Sequence, residues 1–197
     1  MALPVAEPVL VHLDPSLPEV PQETSHTRAV FYTATAFGNI PTTMGSTTGY
    51  AGVVSGGVVA YRCKAQPITA QNACEAELIA ANAAAKVAKY LRMVLTELGY
   101  PQDDPTTIWE DNDATVKIVD TDRPTPRSRH INIRYFGLQQ WRALGEIALR
   151  HIPGIINPSD ALTKALGWVL HARHVRFMMG HHGFGPTRTR PQQPAAD

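Results

Sequence analysis

The pattern of apolar and polar positions predicts β-strands in three stretches in the first third of the chain, and the first of these stretches alternates. These stretches run from Ala29 to Phe37, from Thr48 to Ser55 and from Val58 to Cys63. Gly56 and Gly57 stand between the last two stretches and form a two-residue signal for a tight hairpin. The second and third strands should therefore pair antiparallel.

A long alanine-rich stretch with apolar residues at helical spacing follows. It runs from Glu75 to Leu98, and Gly99 supplies a C-terminal stop. The pattern then predicts a strand, two helices, a strand and a last helix at Thr106 to Glu110, Ala114 to Val119, Ile131 to Leu144, Glu146 to Ile152 and Ser159 to Met179. This order predicts an α/β fold: a mixed five-stranded sheet with helices on both faces.

Both ends of the chain differ in composition from the central part. Residues 1–27 contain five prolines and residues 183–197 contain three, which disfavours regular structure because proline fixes φ and removes a backbone donor. We therefore divide the chain into a proline-rich extension (1–27), one domain (28–182) and a tail with proline and arginine (183–197).

Charge and cysteine content narrow the classes of function. The net charge is +1, so a nucleic-acid role would depend on a local basic patch. Cys63 and Cys74 form no metal-binding or disulfide pattern, and we interpret them as buried thiols in a reducing, intracellular compartment. No apolar run approaches the roughly 20 residues of a membrane span, and no secretory signal opens the chain. Import into an organelle such as the mitochondrion stays open.

Three acidic residues lie at the ends of predicted elements. Glu77 lies in the first turn of the long helix, Asp111 follows the fourth strand, and Asp160 lies in the first turn of the last helix. Such positions can converge at one edge of a sheet, and nucleases place two Mg²⁺ ions about 3.5–4 Å apart among converging carboxylates. A structural alternative stays open, because acids at helix starts favour the dipole and Asp111 could cap the next helix.

Five short motifs follow one another with compatible spacing over about residues 29–180. They are Gly49-Tyr50, the Cys-Glu-Ala-Glu-Leu-Ile-Ala run from Cys74, Glu110-Asp111-Asn112-Asp113-Ala114, the Ser-Arg-His-Ile-Asn-Ile-Arg-Tyr run from Ser128, and Ser159-Asp160-Ala161-Leu162-Thr163-Lys164. Together they resemble the RNase H domain at the C-terminal end of copia-type retrotransposon polyproteins. The resemblance implies an RNase H-like fold and cleavage of the RNA strand of RNA–DNA hybrids by four carboxylates and two divalent metal ions, Mg²⁺ or Mn²⁺.

The resemblance assigns catalytic and metal-binding roles to three residues: Glu77, Asp111 and Asp160. It places the fourth carboxylate on the first strand, where the family has two aspartates and this chain has Thr33 and Thr35. No other Asp or Glu lies between Arg28 and Cys74, and the neutral Thr33 is a poor metal ligand. The sequence therefore predicts a remnant of the catalytic set with a sharply reduced metal affinity.

One dense basic cluster is a candidate for nucleic-acid binding. It consists of Arg123, Arg127, Arg129, His130 and Arg134. It could contact phosphates, with an affinity that falls as salt rises, and the alternative is a solvated loop. The histidines near the C-terminal end are interpreted as surface or packing residues: His171, His174, His181 and His182.

Three functions remain open at this point. The preferred one is a domesticated, catalytically inactive domain, a structural or RNA-contacting subunit of a larger assembly such as an organellar ribosome or other ribonucleoprotein. The second is an active two-metal ribonuclease H, and the third is a nucleic-acid-binding module that acts alone. The preference rests on Thr33 and Thr35 and on the proline-rich ends of the chain. It implies other protein subunits and RNA as partners and no small-molecule substrate.

Overall fold

A computed structural model describes residues 17–22, 25–121 and 132–180, with the backbone alone for 132–135. Within these residues the sheet has five strands: β1 (Ala29–Ile40), β2 (Gly45–Val54), β3 (Gly57–Ala65), β4 (Thr106–Glu110) and β5 (Ile147–His151). Their order across the sheet is β3-β2-β1-β4-β5. β1, β2 and β3 pair antiparallel, whereas β4 is parallel to both β1 and β5. The prediction of a mixed sheet is confirmed.

Helices cover both faces of this sheet. They are α1 (Ala73–Glu97), α2 (Asp113–Asp120), α3 (Asn132–Ala143) and α4 (Trp168–Met178). Successive residues of β1 point to opposite faces: Phe31 packs with Leu78 of α1, and Tyr32 packs with Phe177 of α4. Phe31 and Tyr32 are both fully buried, so the central strand contributes to apolar cores above and below the sheet.

The hairpin between β2 and β3 turns one residue earlier than the sequence predicts. Val54 pairs with Gly57, so the central turn residues are Ser55 and Gly56. Both have positive φ, 51° for Ser55 and 80° for Gly56. Positive φ at both positions defines the turn type whose twist matches the flanking strands, and Gly56 adopts it without a steric cost.

The last helix is shorter than predicted, and the single helix from Ser159 to Met179 is wrong. A 3₁₀ segment covers Pro158–Leu162, an irregular stretch follows, and α4 begins only at Trp168. The reason lies in two side chains that bond to the backbone of β1. Asn157 Nδ2 donates to the carbonyl of Thr33 at 2.6 Å, and Ser159 Oγ donates to the carbonyl of Tyr32 at 2.7 Å. These bonds hold the segment against the sheet.

Residues 17–22, which the sequence places in the extension, pack against the face that α4 covers. They form no helix or strand, in keeping with their prolines. Val20 is 7% exposed and belongs to the apolar cluster around Tyr32. The carbonyl of Pro21 accepts a hydrogen bond from the Tyr32 hydroxyl. The division into extension, domain and tail stays a prediction.

Two further expectations concern cysteines and membranes. The prediction of buried thiols is wrong for Cys63, which is exposed because it lies on the edge strand β3, and Cys74 is half-buried. Among the helices that the structure describes, none combines the length and the apolar character needed to cross a membrane.

Candidate active site

Two threonines of β1 face the N-terminal part of α1 and donate hydrogen bonds to buried carboxylates. Thr35 Oγ1 lies 2.6 Å from Glu77 Oε1, and Thr33 Oγ1 lies 2.7 Å from Glu110 Oε2. Thr33 and Glu110 are direct partners in the parallel register of β1 and β4. The threonines that replace the expected aspartates therefore act as neutral donors to the acids that remain.

Glu77 lies in the second turn of α1, not in its first. The helix begins two residues earlier than expected, because Asn72 caps it by accepting a hydrogen bond from the backbone N–H of Glu75 at 2.9 Å. Glu75 occupies the first turn, where a carboxylate interacts with the helix dipole. Interaction with the helix dipole therefore explains the presence of an acid at Glu75 but not at Glu77.

Asp111 does not cap the helix that follows it, so that structural alternative is wrong. The cap of α2 is Asn112, whose side chain accepts from the backbone N–H of Thr115 at 3.1 Å. Asp111 is instead partly exposed, 15% by its side chain, and lies beside Lys164. A side chain at Gly154 would begin 3.3 Å from Asp111 Oδ2, so this glycine leaves room for the carboxylate.

Asp160 lies in the 3₁₀ segment that Asn157 and Ser159 attach to β1. Gly49 of β2 makes this close approach possible. A Cβ at that position would lie 2.5 Å from Thr163 Cγ2 and 3.3 Å from the carbonyl of Ser159. The Gly49-Tyr50 motif thus has a physical reason: the segment with Asp160 packs on the sheet where β2 has no side chain.

Lys164 links two of the acids that the sequence singled out. Its Nζ lies 2.7 Å from Asp160 Oδ1 and 3.5 Å from Asp111 Oδ2. The side chain of Lys164 is 38% exposed, and that of Asp160 is 8% exposed. The ammonium group thus lies between two carboxylates that a metal ion would otherwise have to neutralise.

Glu110 is a site residue that the sequence analysis missed. It is fully buried at the end of β4, and its Oε1 accepts from the backbone N–H of Asn112 at 3.0 Å. Glu77, Glu110 and Asp111 each offer an oxygen, and these atoms lie within 4.8 Å of one another. The available signal was the acidic pair Glu110-Asp111 after a strand, but the pairing of β4 with β1 was needed to see it.

The crowding of carboxyl groups raises their proton affinity. Burial raises the pKa of Glu77 to about 7; Asp111 adds to this effect, while Thr35 and Lys164 oppose it. Burial, with the charges of Glu77 and Asp111, raises the pKa of Glu110 well above its usual range. Burial also raises the pKa of Asp160, against the effect of Lys164. These acids therefore favour their protonated forms unless a cation lies among them.

The residues present fit one divalent cation. Glu77 is 7% exposed, and its Oε2 has no hydrogen-bond partner among the described residues. A buried carboxylate oxygen without a hydrogen-bond donor is energetically costly. Such an oxygen is a suitable ligand for a hard cation such as Mg²⁺ or Mn²⁺. Glu77, Glu110 and Asp111 would hold such an ion, which would supply charge stabilisation at a phosphate oxygen.

The predicted site residues thus fall into two groups. Glu77 and Asp111 come together with Glu110, whereas Asp160 is joined to Asp111 through Lys164. Most of the predicted basic cluster lies outside the described residues: Arg123, Arg127, Arg129 and His130. Arg134 lies in α3, where the structure describes the backbone alone. Its role in nucleic-acid binding stays a prediction.

A different basic surface lies between β3 and α1. Arg62, Lys64 and Lys86 are exposed and line a groove there with Gln66 and Asn82. Within the described part of the chain, none of the three cations has a carboxylate within ion-pair distance. Three unpaired cations along one groove favour a polyanionic ligand.

This groove, which we call the β3–α1 groove, is close to the carboxylates. Lys64 pairs with Thr48 of β2, and Thr48 pairs with Thr35 of β1. Thr35 in turn contacts Glu77. Two strand spacings separate Lys64 from Thr35, which is roughly 10 Å.

Comparison with known proteins agrees with this architecture. No family model matches the chain. It is 30% identical over 121 residues to the Retrovirus-related Pol polyprotein from transposon TNT 1-94 of Nicotiana tabacum, which covers 61% of this chain and 9% of the polyprotein. The chain therefore spans less than a tenth of the length of that curated relative.

Solved structures match the fold at low sequence identity. The foamy viral protease-reverse transcriptase in complex with RNA/DNA hybrid matches with a TM-score of 0.52 and 19% identity, over 80% of this chain and 23% of that one. LC11-RNase H1 in complex with RNA/DNA hybrid matches with a TM-score of 0.50 and 18% identity, over 68% and 93%. The chain therefore has an RNase H-like fold, and its sequence is similar to part of a retrotransposon Pol polyprotein.

Proposed function

We propose that this chain is a domesticated RNase H-like domain that binds nucleic acid without cleaving it. The observation that carries the proposal is the position of Lys164 between Asp111 and Asp160, 3.5 and 2.7 Å from their oxygens. Two-metal cleavage needs cations that stabilise both the attacking and the leaving oxygen. A lysine ammonium neutralises these carboxylates but has no open coordination position for phosphate oxygens.

The loss of the β1 aspartate supports the same conclusion. Thr33 donates a hydrogen bond to Glu110 and offers no charge to a metal ion. The three carboxylates that do cluster, Glu77, Glu110 and Asp111, fit one cation. One cation can neutralise charge at this edge of the sheet, but it cannot clamp both oxygens of an in-line displacement.

The β3–α1 groove supports contact with nucleic acid. Arg62, Lys64 and Lys86 have no carboxylate partner among the described residues, and strand pairing puts the groove roughly 10 Å from Thr35. Phosphate groups along a strand of RNA or of a hybrid would meet these cations. In the proposed role the domain is an intracellular, RNA-contacting or structural subunit, with other proteins of a ribonucleoprotein as partners.

The test is an assay of hybrid cleavage and hybrid binding on the purified chain. We expect a labelled RNA–DNA hybrid to stay intact with Mg²⁺ and with Mn²⁺ while it is retained in a binding assay. Asp111→Asn and the matched exposed variant Asp113→Asn, purified in the same way, control for contaminating nuclease. Cleavage that persists in Asp113→Asn and disappears in Asp111→Asn would overturn the proposal.

The assembly is tested separately. Native protein purified under mild conditions should elute with RNA or with other proteins, at a mass well above 21.5 kDa. Elution as a free monomer without nucleic acid would contradict the subunit role.

An active ribonuclease H is the second candidate, and one specific observation favours it. Glu110 brings a third carboxylate to within 4.8 Å of Glu77 and Asp111. A metal ion held there would supply part of the charge stabilisation that cleavage needs. In that case the cleavage assay gives product, and Glu77→Gln and Asp111→Asn both abolish it.

A further inference from the structure

Glu110 lies on the strand next to the position where the aspartate is missing. The position that lost its carboxylate is Thr33, and its partner in the parallel ladder between β1 and β4 is Glu110. Neighbouring strands lie about 4.8 Å apart, and a glutamate side chain is one methylene longer than an aspartate. The Glu110 carboxyl consequently ends 2.7 Å from the Thr33 hydroxyl. A carboxylate is therefore present beside the β1 position, supplied by the adjacent strand.

The Glu110 carboxylate keeps the capacity to bind a cation. Its Oε2 accepts from Thr33, and its Oε1 accepts from the backbone N–H of Asn112 at 3.0 Å. Each carboxylate oxygen has two lone pairs, so both oxygens retain one. The two hydrogen bonds fix the orientation of the group, in the way that outer-shell donors orient metal ligands.

Glu77 gives a second and independent observation. Its Oε1 accepts from Thr35, but its Oε2 is buried and has no hydrogen-bond partner among the described residues. Lys164, whose charge lowers the pKa of Glu77, forms its ion pairs with Asp111 and Asp160. One carboxylate oxygen of the cluster therefore lacks a hydrogen-bond donor, and among the described residues no cation forms an ion pair with its carboxylate.

We propose that Glu110 replaces the lost β1 aspartate as a metal ligand, so that Glu77, Glu110 and Asp111 together bind one divalent cation of the Mg²⁺ or Mn²⁺ type. The ligand has moved from one strand to its parallel neighbour, which preserves its place at the same edge of the sheet. This inference concerns the site of the proposed function but holds whether or not the domain cleaves a hybrid.

Manganese binding to the full chain tests the inference directly. We expect isothermal titration or Mn²⁺ electron paramagnetic resonance to detect about one bound ion in the unaltered protein. Glu110→Gln keeps the shape of the side chain and one oxygen that can accept from the backbone N–H of Asn112, while its amide NH2 can donate to the Thr33 hydroxyl oxygen. It should weaken the affinity at least tenfold, since the loss of even an outer-shell partner of a ligand costs about 10–100-fold. Glu97→Gln removes an exposed carboxylate of the same helix as Glu77 and should leave the affinity unchanged.

A carboxylate exchange makes the test specific. Glu110→Thr alone should abolish Mn²⁺ binding, and Thr33→Asp combined with Glu110→Thr should restore it, because the double variant returns the carboxylate to β1. Unchanged binding in Glu110→Gln, or no binding by the unaltered protein, would overturn the inference.

Paramagnetic broadening gives a readout that needs no variant. Mn²⁺ at the proposed position should broaden the backbone amide resonance of Asn112, which donates to Glu110, before that of Thr163, which lies beside Asp160 and Lys164. Broadening centred on Thr163 would place the ion at the wrong carboxylate and overturn the inference. Mn²⁺ binding together with hybrid cleavage would leave the inference intact and refute the proposed function. If neither Mn²⁺ binding nor hybrid cleavage is detected, the inference is refuted and the proposed absence of cleavage stands.

Discussion

Thr33 and Glu110 face each other across the parallel pairing of β1 and β4, with 2.7 Å between the hydroxyl oxygen and a carboxylate oxygen. They are 77 residues apart in the chain and are both fully buried. The pair joins the position where an acid is missing to an acid that no sequence motif had assigned. It also means that the threonine has a structural role of its own.

Removal of the Thr33 hydroxyl should destabilise the fold. Thr33→Val keeps the shape of the side chain but leaves Glu110 Oε2 without its donor in a fully buried position, which should cost about 1–3 kcal/mol. Thr47→Val, which removes an exposed hydrogen bond to Asn39 from the neighbouring strand, should change the free energy of unfolding by less than about 0.5 kcal/mol. Urea denaturation measures both, and equal effects would contradict the role of Thr33.

Gly49 should not tolerate even one additional methyl group. Gly49→Ala places a Cβ 2.5 Å from Thr163 Cγ2, so the 3₁₀ segment with Asp160 must move away from the sheet, at a cost of about 1–3 kcal/mol. Gly57→Ala in the adjacent strand meets no atom within 4 Å and should be nearly neutral. Thermal unfolding of the two variants compares them. A stability for Gly49→Ala equal to that of Gly57→Ala would contradict the close packing.

Lys164 should contribute more to the stability of the fold than an exposed lysine that forms the same kind of i,i+4 ion pair. Lys164→Met leaves Asp160 without its cation while that carboxylate is largely buried, and we expect a loss of roughly 1–2 kcal/mol, because Lys164 is partly exposed. Lys117→Met breaks the equivalent i,i+4 pair with Asp113, which is exposed, and should cost at most about 0.5 kcal/mol. Chemical denaturation near pH 7 provides the measurement, and the reverse order would refute this account of the pair.

His174 should make stability depend on pH. Its side chain is fully buried in α4, and neither ring nitrogen has a hydrogen-bond partner among the described residues. Burial, with a contribution from Arg173, lowers the pKa of His174 from 6.5 to about 4. The unfolded chain therefore binds a proton at a pH where the folded chain does not. The associated stability is fully present above pH 6.5 and is lost as pH falls towards 4.

Comparison with a variant at His174 separates the contribution of this histidine to the pH dependence of stability from that of the carboxylates. Between pH 7 and pH 4 the unaltered protein should lose roughly 3 kcal/mol more stability than His174→Gln does. His151→Gln, which changes an exposed histidine at the end of β5, should behave like the unaltered protein. Parallel pH profiles for the unaltered protein and His174→Gln would contradict a buried, neutral His174.

The β3–α1 groove should contribute a salt-dependent part of nucleic-acid binding. Each phosphate contact adds about 0.7–0.9 to the slope of log affinity against log salt concentration. A combined change of Arg62, Lys64 and Lys86 to Ala should therefore weaken hybrid binding and reduce the slope by roughly 2–3. A control variant with Lys117 changed to Ala, an exposed lysine of α2 that does not line the groove, should retain the original slope. An unaltered slope in the groove variant would exclude the groove as the contact surface.

The sequence by itself determined most of the elements and the fold. Alternation and β-prone runs located β1 to β5, and helix-forming runs located α1 to α3, all within a few residues, because these patterns are local properties of the chain. The motifs around Gly49, Glu77 and Asp160 identified the RNase H-like fold, and comparison with known proteins confirmed it. The absence of acids at Thr33 and Thr35 was also visible in the sequence alone.

The tertiary structure decided how the remaining acids are arranged. Local patterns do not encode the register between β1 and β4, so the sequence could not reveal that Glu110 faces Thr33. For the same reason it could not place Lys164 between Asp111 and Asp160, since side-chain bonds from Asn157 and Ser159 to β1 replace the predicted helix there. Contacts between distant parts of the chain depend on tertiary packing. Tertiary packing therefore determines which charged groups lie next to one another in this site.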